Sequence, residues 1–298
     1  MNKPVLSAYY ESKTPSGVRL AQMKYEERAI KPDAVINVGQ GNVPLPTNPA
    51  LQKRLFHLDA PDSPFKNGAI RYSEAGGRKE CQDAFKNILS CEGFDTDKIY
   101  VQITDGGSAG MELMILGVCG PAGTDEKPLM MIEPVYTNYI SFAKRLGRKT
   151  ITVKRHLNEN GKFSLPSLEE IEEKIKANNP GALLIIPYDN PTGQLYNYGQ
   201  LKELALLCVK YNMWMVSDEA YRELYYTGDN NLVSIWGLSD SDVSGIEGRR
   251  ISIETSSKVW NACGLRIGAV ITDNAVFNNR SIAEYTTNLC PNIIGQYI

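Results

Sequence analysis

From residue 99 onward, short continuous apolar runs alternate with longer mixed stretches. The runs are Ile99–Ile103, Leu129–Ile132, Lys149–Val153, Ala182–Ile186, Met213–Val216, Ile251–Glu254 and Ala269–Ile271. Between them, 108–119, 137–146, 167–177 and 198–211 read as amphipathic helices. Ser167-Leu168-Glu169-Glu170 forms a capping box at one helix start. Continuous apolar strands separated by helices predict an α/β fold, with a mainly parallel sheet sandwiched by helices. Ligands of such sheets sit at the carboxyl ends of the strands.

Before residue 99 the pattern is looser. Val18–Tyr25 is modestly helical, Ala34–Val38 reads as a short strand, and 47–58 fits a short helix. Gly39–Pro46 and Ile70–Gly77 are turn-rich loops, and a helix is expected from about Arg78 to Leu89. Gly228–Glu247 is a polar connection with one short helix near Ser234-Ile235-Trp236. No internal repeat or low-complexity segment interrupts the chain.

The strand ends carry the candidate chemistry. The first run opens into Gly106-Gly107-Ser108-Ala109 at a helix start, where backbone N–H groups favour anions; a plain tight turn fits the same residues. The second ends at Pro134-Val135-Tyr136, with Tyr139 three residues on; Tyr136 can present its ring face to a flat heterocycle, and packing of both rings in the core fits the same residues. The fourth ends at Asn190-Pro191-Thr192-Gly193, an ordinary turn signal that places a carboxamide at a buried strand end. The fifth ends at Asp218-Glu219-Ala220-Tyr221-Arg222. A carboxylate after a buried run needs a cationic partner, either a protonated ring nitrogen or an arginine such as Arg222 or Arg266. The last two runs flank Thr255-Ser256-Ser257-Lys258 and Gly264-Leu265-Arg266-Ile267-Gly268. A lysine in that loop, poorly hydrated and beside an arginine, is pushed towards the neutral, nucleophilic amine; a solvated lysine in a serine-rich loop fits the same pattern.

Composition narrows the classes. The chain has 298 residues, enough for one large domain or two ordinary ones, and a net charge of −2 with acids and bases interspersed. That balance points to no nucleic-acid partner and no membrane face. No apolar run approaches the ~18–20 residues of a membrane span, and the N-terminus lacks a signal-peptide core. Six scattered cysteines without a C-x-x-C pair suggest reduced thiols and a cytoplasmic location. With two histidines, a zinc site or a Ser-His-Asp triad is disfavoured, so no metal is expected and a cofactor is expected to carry the chemistry.

In order and spacing, Gly107-Ser108-Ala109, Pro134-Val135-Tyr136, Asn190-Pro191-Thr192-Gly193, Asp218-Glu219-Ala220-Tyr221 and Ser257-Lys258 with Gly264–Gly268 resemble the class I/II aminotransferases. These are the fold type I pyridoxal-phosphate enzymes of the aspartate aminotransferase superfamily. The resemblance implies pyridoxal 5′-phosphate as cofactor and Lys258 as the catalytic lysine. Lys258 would hold the cofactor as a Schiff base and, once freed, move a proton between the substrate α-carbon and the cofactor. It implies Asp218 on the pyridinium nitrogen, Asn190 and Tyr221 as donors to the ring hydroxyl, and Tyr136 stacked on the ring. Ser108, Ala109, Thr255, Ser257 and Arg266 are implied as the phosphate cradle. Tyr72 resembles the tyrosine that reaches the phosphate of the neighbouring subunit, which implies a homodimer. Gly41 and Asn190 resemble substrate-binding positions, although Gly41-Asn42-Val43-Pro44 departs from the usual family sequence.

The implied activity moves an amino group between an L-amino acid, with aspartate favoured, and a 2-oxo acid. The alternatives on the same scaffold are a β-lyase or other amino-acid enzyme and a non-catalytic cofactor-binding regulator. The implied organisation is an N-terminal arm and first part of the small domain over 1–48 and a large cofactor-binding domain over 49–298. Family members usually continue for ~100 residues beyond this point. The C-terminal small domain and its carboxylate-binding arginine are therefore expected to be absent from this sequence.

Overall fold

The computed structural model describes residues 4–29, 36, 39, 41, 42, 44–120, 122, 123, 126–226 and 232–298. The chain divides into two compact units, Met1–Pro44 and Leu45–Ile298. The first contains helices α1 (Ala8–Glu11) and α2 (Gly17–Glu26), capped by the Ser7 and Ser16 side chains. Helix α2 covers the stretch read as helical from its spacing. The expected strand Ala34–Val38 lies almost entirely outside the described residues.

The second unit opens with α3 (Pro49–Phe56) and α4 (Lys79–Cys91). It continues through β1 (Tyr100–Asp105), α5 (Gly106–Cys119), β2 (Leu129–Glu133), α6 (Asn138–Arg145) and β3 (Thr150–Lys154). A small hairpin, β4 (His156–Leu157) and β5 (Phe163–Ser164), precedes α7 (Leu168–Asn178). Then come β6 (Ala182–Ile185), α8 (Tyr198–Lys210), β7 (Trp214–Asp218), β8 (Arg250–Thr255) and β9 (Ile267–Thr272). The unit closes with α9 (Ala275–Tyr285) and α10 (Ile293–Tyr297). The capping box at Ser167 forms as its sequence indicates, and Asn197 with Gln200 makes a second one.

Seven strands form one sheet in the order β1-β9-β8-β7-β6-β2-β3. Pairs β2–β3, β2–β6, β6–β7 and β7–β8 are parallel. Strand β9 runs antiparallel to both β8 and β1. The parallel reading holds for every strand except β9. The eleven residues 256–266 are too few for a helical crossover, so the chain turns back on itself.

Two apolar layers cover the sheet. Helices α5, α6 and α9 pack Met114, Tyr139 and Phe277 against Leu184, Val216 and Ile253 on one face. Helices α4, α7 and α8 pack Leu89, Ile175 and Leu204 against Ile103, Leu183 and Met215 on the other. One expectation changes here. The 108–119 helix is buried on most sides rather than amphipathic, because α5 lies between the sheet and its neighbours α6 and α9.

Candidate functional site

Every strand but β9 points its carboxyl end to one edge of the sheet, and the turns after β1, β6, β7 and β8 meet there. Strand β1 passes into α5 through Gly106, whose φ of 72° suits glycine. A Cβ at Gly106 would lie 2.3 Å from an Arg266 guanidinium nitrogen. Gly268 is under the same constraint. A Cβ there would meet the Gly107 amide nitrogen and the Glu254 carbonyl oxygen, each at 2.6 Å. Two glycines thus let β9 and Arg266 come up against the first turn of α5.

The residues expected to cradle a phosphate are brought together there. Thr255 sits against Gly107, with 3.6 Å between its Cβ and a Cβ built on that glycine. The Thr255 and Ser257 hydroxyls share a 2.7 Å hydrogen bond. Ser108 and Ala109 are half-buried in the first turn of α5. Arg266 is exposed and holds its left-handed backbone with a 3.0 Å bond from Nη1 to the Cys263 carbonyl. Its Nη2 faces the Asp105 carbonyl at 3.5 Å. A helix N-terminus, a guanidinium and two hydroxyls form a donor set that suits a phosphate.

Asp218 ends β7 buried at 4% exposure. The Tyr139 hydroxyl donates to its Oδ2 at 2.8 Å, and the Ala220 amide donates to its Oδ1 at 3.0 Å. Among the described residues no arginine lies within ion-pair distance of Asp218, so neither Arg222 nor Arg266 is its partner. Loss of hydration raises its carboxyl to about 6, while the two donors act in the other direction. A protonated ring nitrogen is the kind of partner this carboxylate lacks.

The remaining expected residues flank Asp218. The Asn190 amide donates to the Tyr221 hydroxyl at 3.3 Å. Lys258 is half-buried, with Nζ 5.7 Å from the centre of the Tyr221 ring. Tyr136 meets Tyr139 edge-on at 6.3 Å between centroids and accepts a 2.7 Å bond from Asn138. Burial, with Asp218 next in order, raises both the Tyr136 and Tyr221 phenols. Carboxylate, carboxamide, phenols and lysine therefore surround one space beside the phosphate donors. The residues present fit pyridoxal phosphate at both its charged ends.

One expected residue of the second unit lies outside this group. Tyr72 is 78% exposed and lines a separate cavity of about 600 Å³ with Phe65, Arg71, Arg78 and Ile293. Gly41 is exposed in the first unit. Among the described residues no group of three or more potential ligands could hold a metal ion.

Several residues that serve the site escaped the sequence reading. Tyr139 was weighed only as a ring, yet its hydroxyl orients Asp218 while its ring fills the core. The buried Arg155 donates to Asp189 at 3.1 Å and to the Tyr196 hydroxyl at 2.7 Å. Asp189 also accepts from the Thr192 hydroxyl, which fixes the turn that presents Asn190. Asp105 accepts from the Tyr285 hydroxyl at 2.9 Å and from the Asn292 amide at 2.8 Å, which ties the chain after α9 to the glycine turn. The sequence offers polar residues at strand ends as the one signal for these contacts.

The chain is similar to known proteins in sequence and in fold. The chain is 27% identical over 269 residues to an aspartate aminotransferase of Thermotoga maritima, covering 90% of this chain and 66% of the relative. It is 27% identical over 264 residues to an aspartate aminotransferase of Sulfurisphaera tokodaii, covering 88% and 61%. The chain thus spans somewhat less than two thirds of these relatives' lengths. The crystal structure of an aminotransferase from Mycobacterium tuberculosis superposes with a TM-score of 0.80 at 20% identity, over 99% of this chain and 70% of that one. The family model for aminotransferase class I and II matches residues 34–293, and the chain belongs to that family.

Proposed function

We propose that this chain is the cofactor-binding part of an aminotransferase that moves an amino group between an L-amino acid and a 2-oxo acid. Members of the family use pyridoxal 5′-phosphate. The observation that carries the reading is Asp218, a buried carboxylate with two donors and, among the described residues, no arginine partner, near Lys258 and Tyr221, to which Asn190 donates. Aspartate is the proposed donor, supported by the names of the Thermotoga and Sulfurisphaera relatives.

Each group has a task set by its chemistry. Bound pyridoxal phosphate supplies an electron sink for charge developing at the substrate α-carbon. Asp218 would hold the proton on the ring nitrogen by charge and hydrogen bonding, and Tyr139 holds Asp218. Asn190 and Tyr221 would hold the ring hydroxyl, and Tyr136 would hold the ring itself. Ser108, Ala109, Thr255, Ser257 and Arg266 would hold the phosphate. Lys258 would hold the cofactor and, when its amine is free, would take the substrate α-proton at Nζ. Tyr72, which is exposed, would reach the phosphate of a second copy in a homodimer. The family resemblance proposes Gly41 as a substrate-binding position, and the cytoplasm is the proposed compartment.

Adding pyridoxal phosphate to the purified chain should produce the visible absorbance band of a lysine-bound cofactor, and Lys258→Ala should abolish it. Aspartate with 2-oxoglutarate should then give glutamate. Pyruvate or ammonia released without an acceptor would instead identify a lyase. A chain that develops no visible band would overturn the assignment of Lys258.

A further inference from the structure

Directly behind the site, on the opposite face of the sheet, lies a charged cluster that the proposed reaction does not touch. Strand side chains alternate between faces. Asp218 and Ile253 are register partners and point towards α5 and α6. Their neighbours Ser217, Glu219, Ser252 and Glu254 point the other way. Arg222 lies among these, with Nη1 2.8 Å from Glu254 Oε1 and 3.4 Å from Glu219 Oε2. Its Nε donates to Glu92 Oε2, just past the end of α4, at 2.7 Å. All four side chains are at most 5% exposed. Glu219 also accepts from the Ser217 and Ser234 hydroxyls and the Ile235 amide, and Glu254 accepts from the Ser252 hydroxyl.

Three carboxylates around one guanidinium are a poor device for stability alone. Burying ions costs several kcal/mol each, and apolar packing of the same volume often does as well. Desolvation raises both Glu92 and Glu219. A planar guanidinium instead supplies fixed geometry, and its placement is informative. Glu219 immediately follows Asp218, and Glu254 immediately precedes Thr255 at the head of the Lys258 loop. The two carboxylates sit on neighbouring strand ends, and one guanidinium holds both.

We propose that Arg222, gripping Glu219 and Glu254, is a positioning residue for the site: it pins from behind the two strand ends that present Asp218 and the Lys258 loop. Glu92 extends the clamp to α4. This inference rests on the assignment of Asp218 and Lys258 made under the proposed function. Asp218 is faced by Tyr139 of α6, by Tyr136, Tyr221 and Lys258, and from the far side by Glu254. The cluster is faced by Glu223 beside Glu92 and by Tyr188 and Tyr198 beside Glu219. Loosening the clamp moves Asp218 relative to Lys258, and neutralising Glu254 also removes a negative charge behind Asp218. Both act on the bound chromophore.

The test compares wild type, Arg222→Met, Arg222→Lys, Glu254→Gln and Asp273→Asn. Asp273 is the control, because its buried 2.7 Å pair with Arg250 stands at the opposite end of β8. Each protein is titrated with pyridoxal phosphate, and the pH midpoint of its visible band and its Tm are recorded. Arg222→Met and Glu254→Gln should weaken cofactor binding at least about tenfold. Glu254→Gln should move the midpoint to lower pH by about half a unit or more. Arg222→Lys should recover part of the affinity, and Asp273→Asn should lower Tm while leaving affinity and midpoint at wild-type values. Wild-type affinity and midpoint in both Arg222→Met and Glu254→Gln, with Tm reduced as in the control, would make the cluster purely structural and end the proposal. Should Arg222→Met not fold, Glu254→Gln decides by the same criterion. A wild-type chain with no visible band is a different failure, that of the site assignment itself.

Discussion

Asp218 is a buried carboxyl with two hydrogen-bond donors and, among the described residues, no arginine to pair with. A buried carboxyl raised to about 6 favours its neutral form, so folding favours the proton. The stability from this group is full below its unfolded value near 3.8 and is lost as pH rises through about 6. In cofactor-free protein, Asp218→Asn should therefore gain stability relative to wild type between pH 4 and 7. The gain should be on the order of 1–3 kcal/mol, read by denaturant unfolding across pH. Pyridoxal phosphate should reverse the preference, because the aspartate then has a cation to pair with. Tyr139→Phe removes the donor to Oδ2 and should cost about 1–3 kcal/mol at pH 7, with weaker cofactor binding, measurable by the same unfolding curves and an absorbance titration. The sequence identified Asp218 by its place after a buried run. Tyr139 was not legible as its partner, since spacing along the chain does not show which hydroxyl reaches across from another strand end.

At the scale of elements, the site depends on two strand-to-helix and strand-to-strand turns held very close together. Gly268→Ala should push β9 against the Gly106-Gly107 backbone, costing about 1–3 kcal/mol by thermal or chemical unfolding. It should also weaken phosphate binding, because Thr255, Arg266 and the first turn of α5 separate together. The strands of this region were legible from unbroken apolar runs, and the capped helix at Ser167 from its four residues. The reversal of β9 was not, because its apolar run reads the same in either direction. The short 256–266 connection held that information in its length. The β4–β5 hairpin was missed because two-residue strands leave no period to detect. Helix α5 departs from the expected amphipathic pattern because its residues are almost all small or apolar, with Glu112 the one charged side chain, which suits a helix covered on most sides.

Across the whole molecule, charges buried on both faces of one sheet make stability depend on pH. Glu92, raised by desolvation, contributes stability at low pH that is lost as pH rises above its unfolded value. Glu92→Gln should therefore gain in Tm relative to wild type from pH 5 to pH 8 and show little difference at pH 4, checked by thermal scans at fixed ionic strength. The family resemblance and the strand-end motifs made the general architecture readable. The cluster behind the site was not, since residues 92, 219, 222 and 254 are joined by folding alone.

The position of β1 bears on how the chain folds. It stands at the edge of the sheet, with four strands between it and β2, and its strand partner is β9, some 170 residues further along. Strands β2, β3, β6 and β7 can associate as soon as residue 218 is in place. Strand β1 must wait for the β8–β9 turn, and bringing such distant segments together is slow. The phosphate end of the site, built from residues 105–109 and 255–268, should thus be completed after the centre of the sheet. Pulse-labelled hydrogen exchange should find amides of β6 and β7 protected before those of β1. Earlier protection of β1 would show that the glycine turn forms without its antiparallel partner.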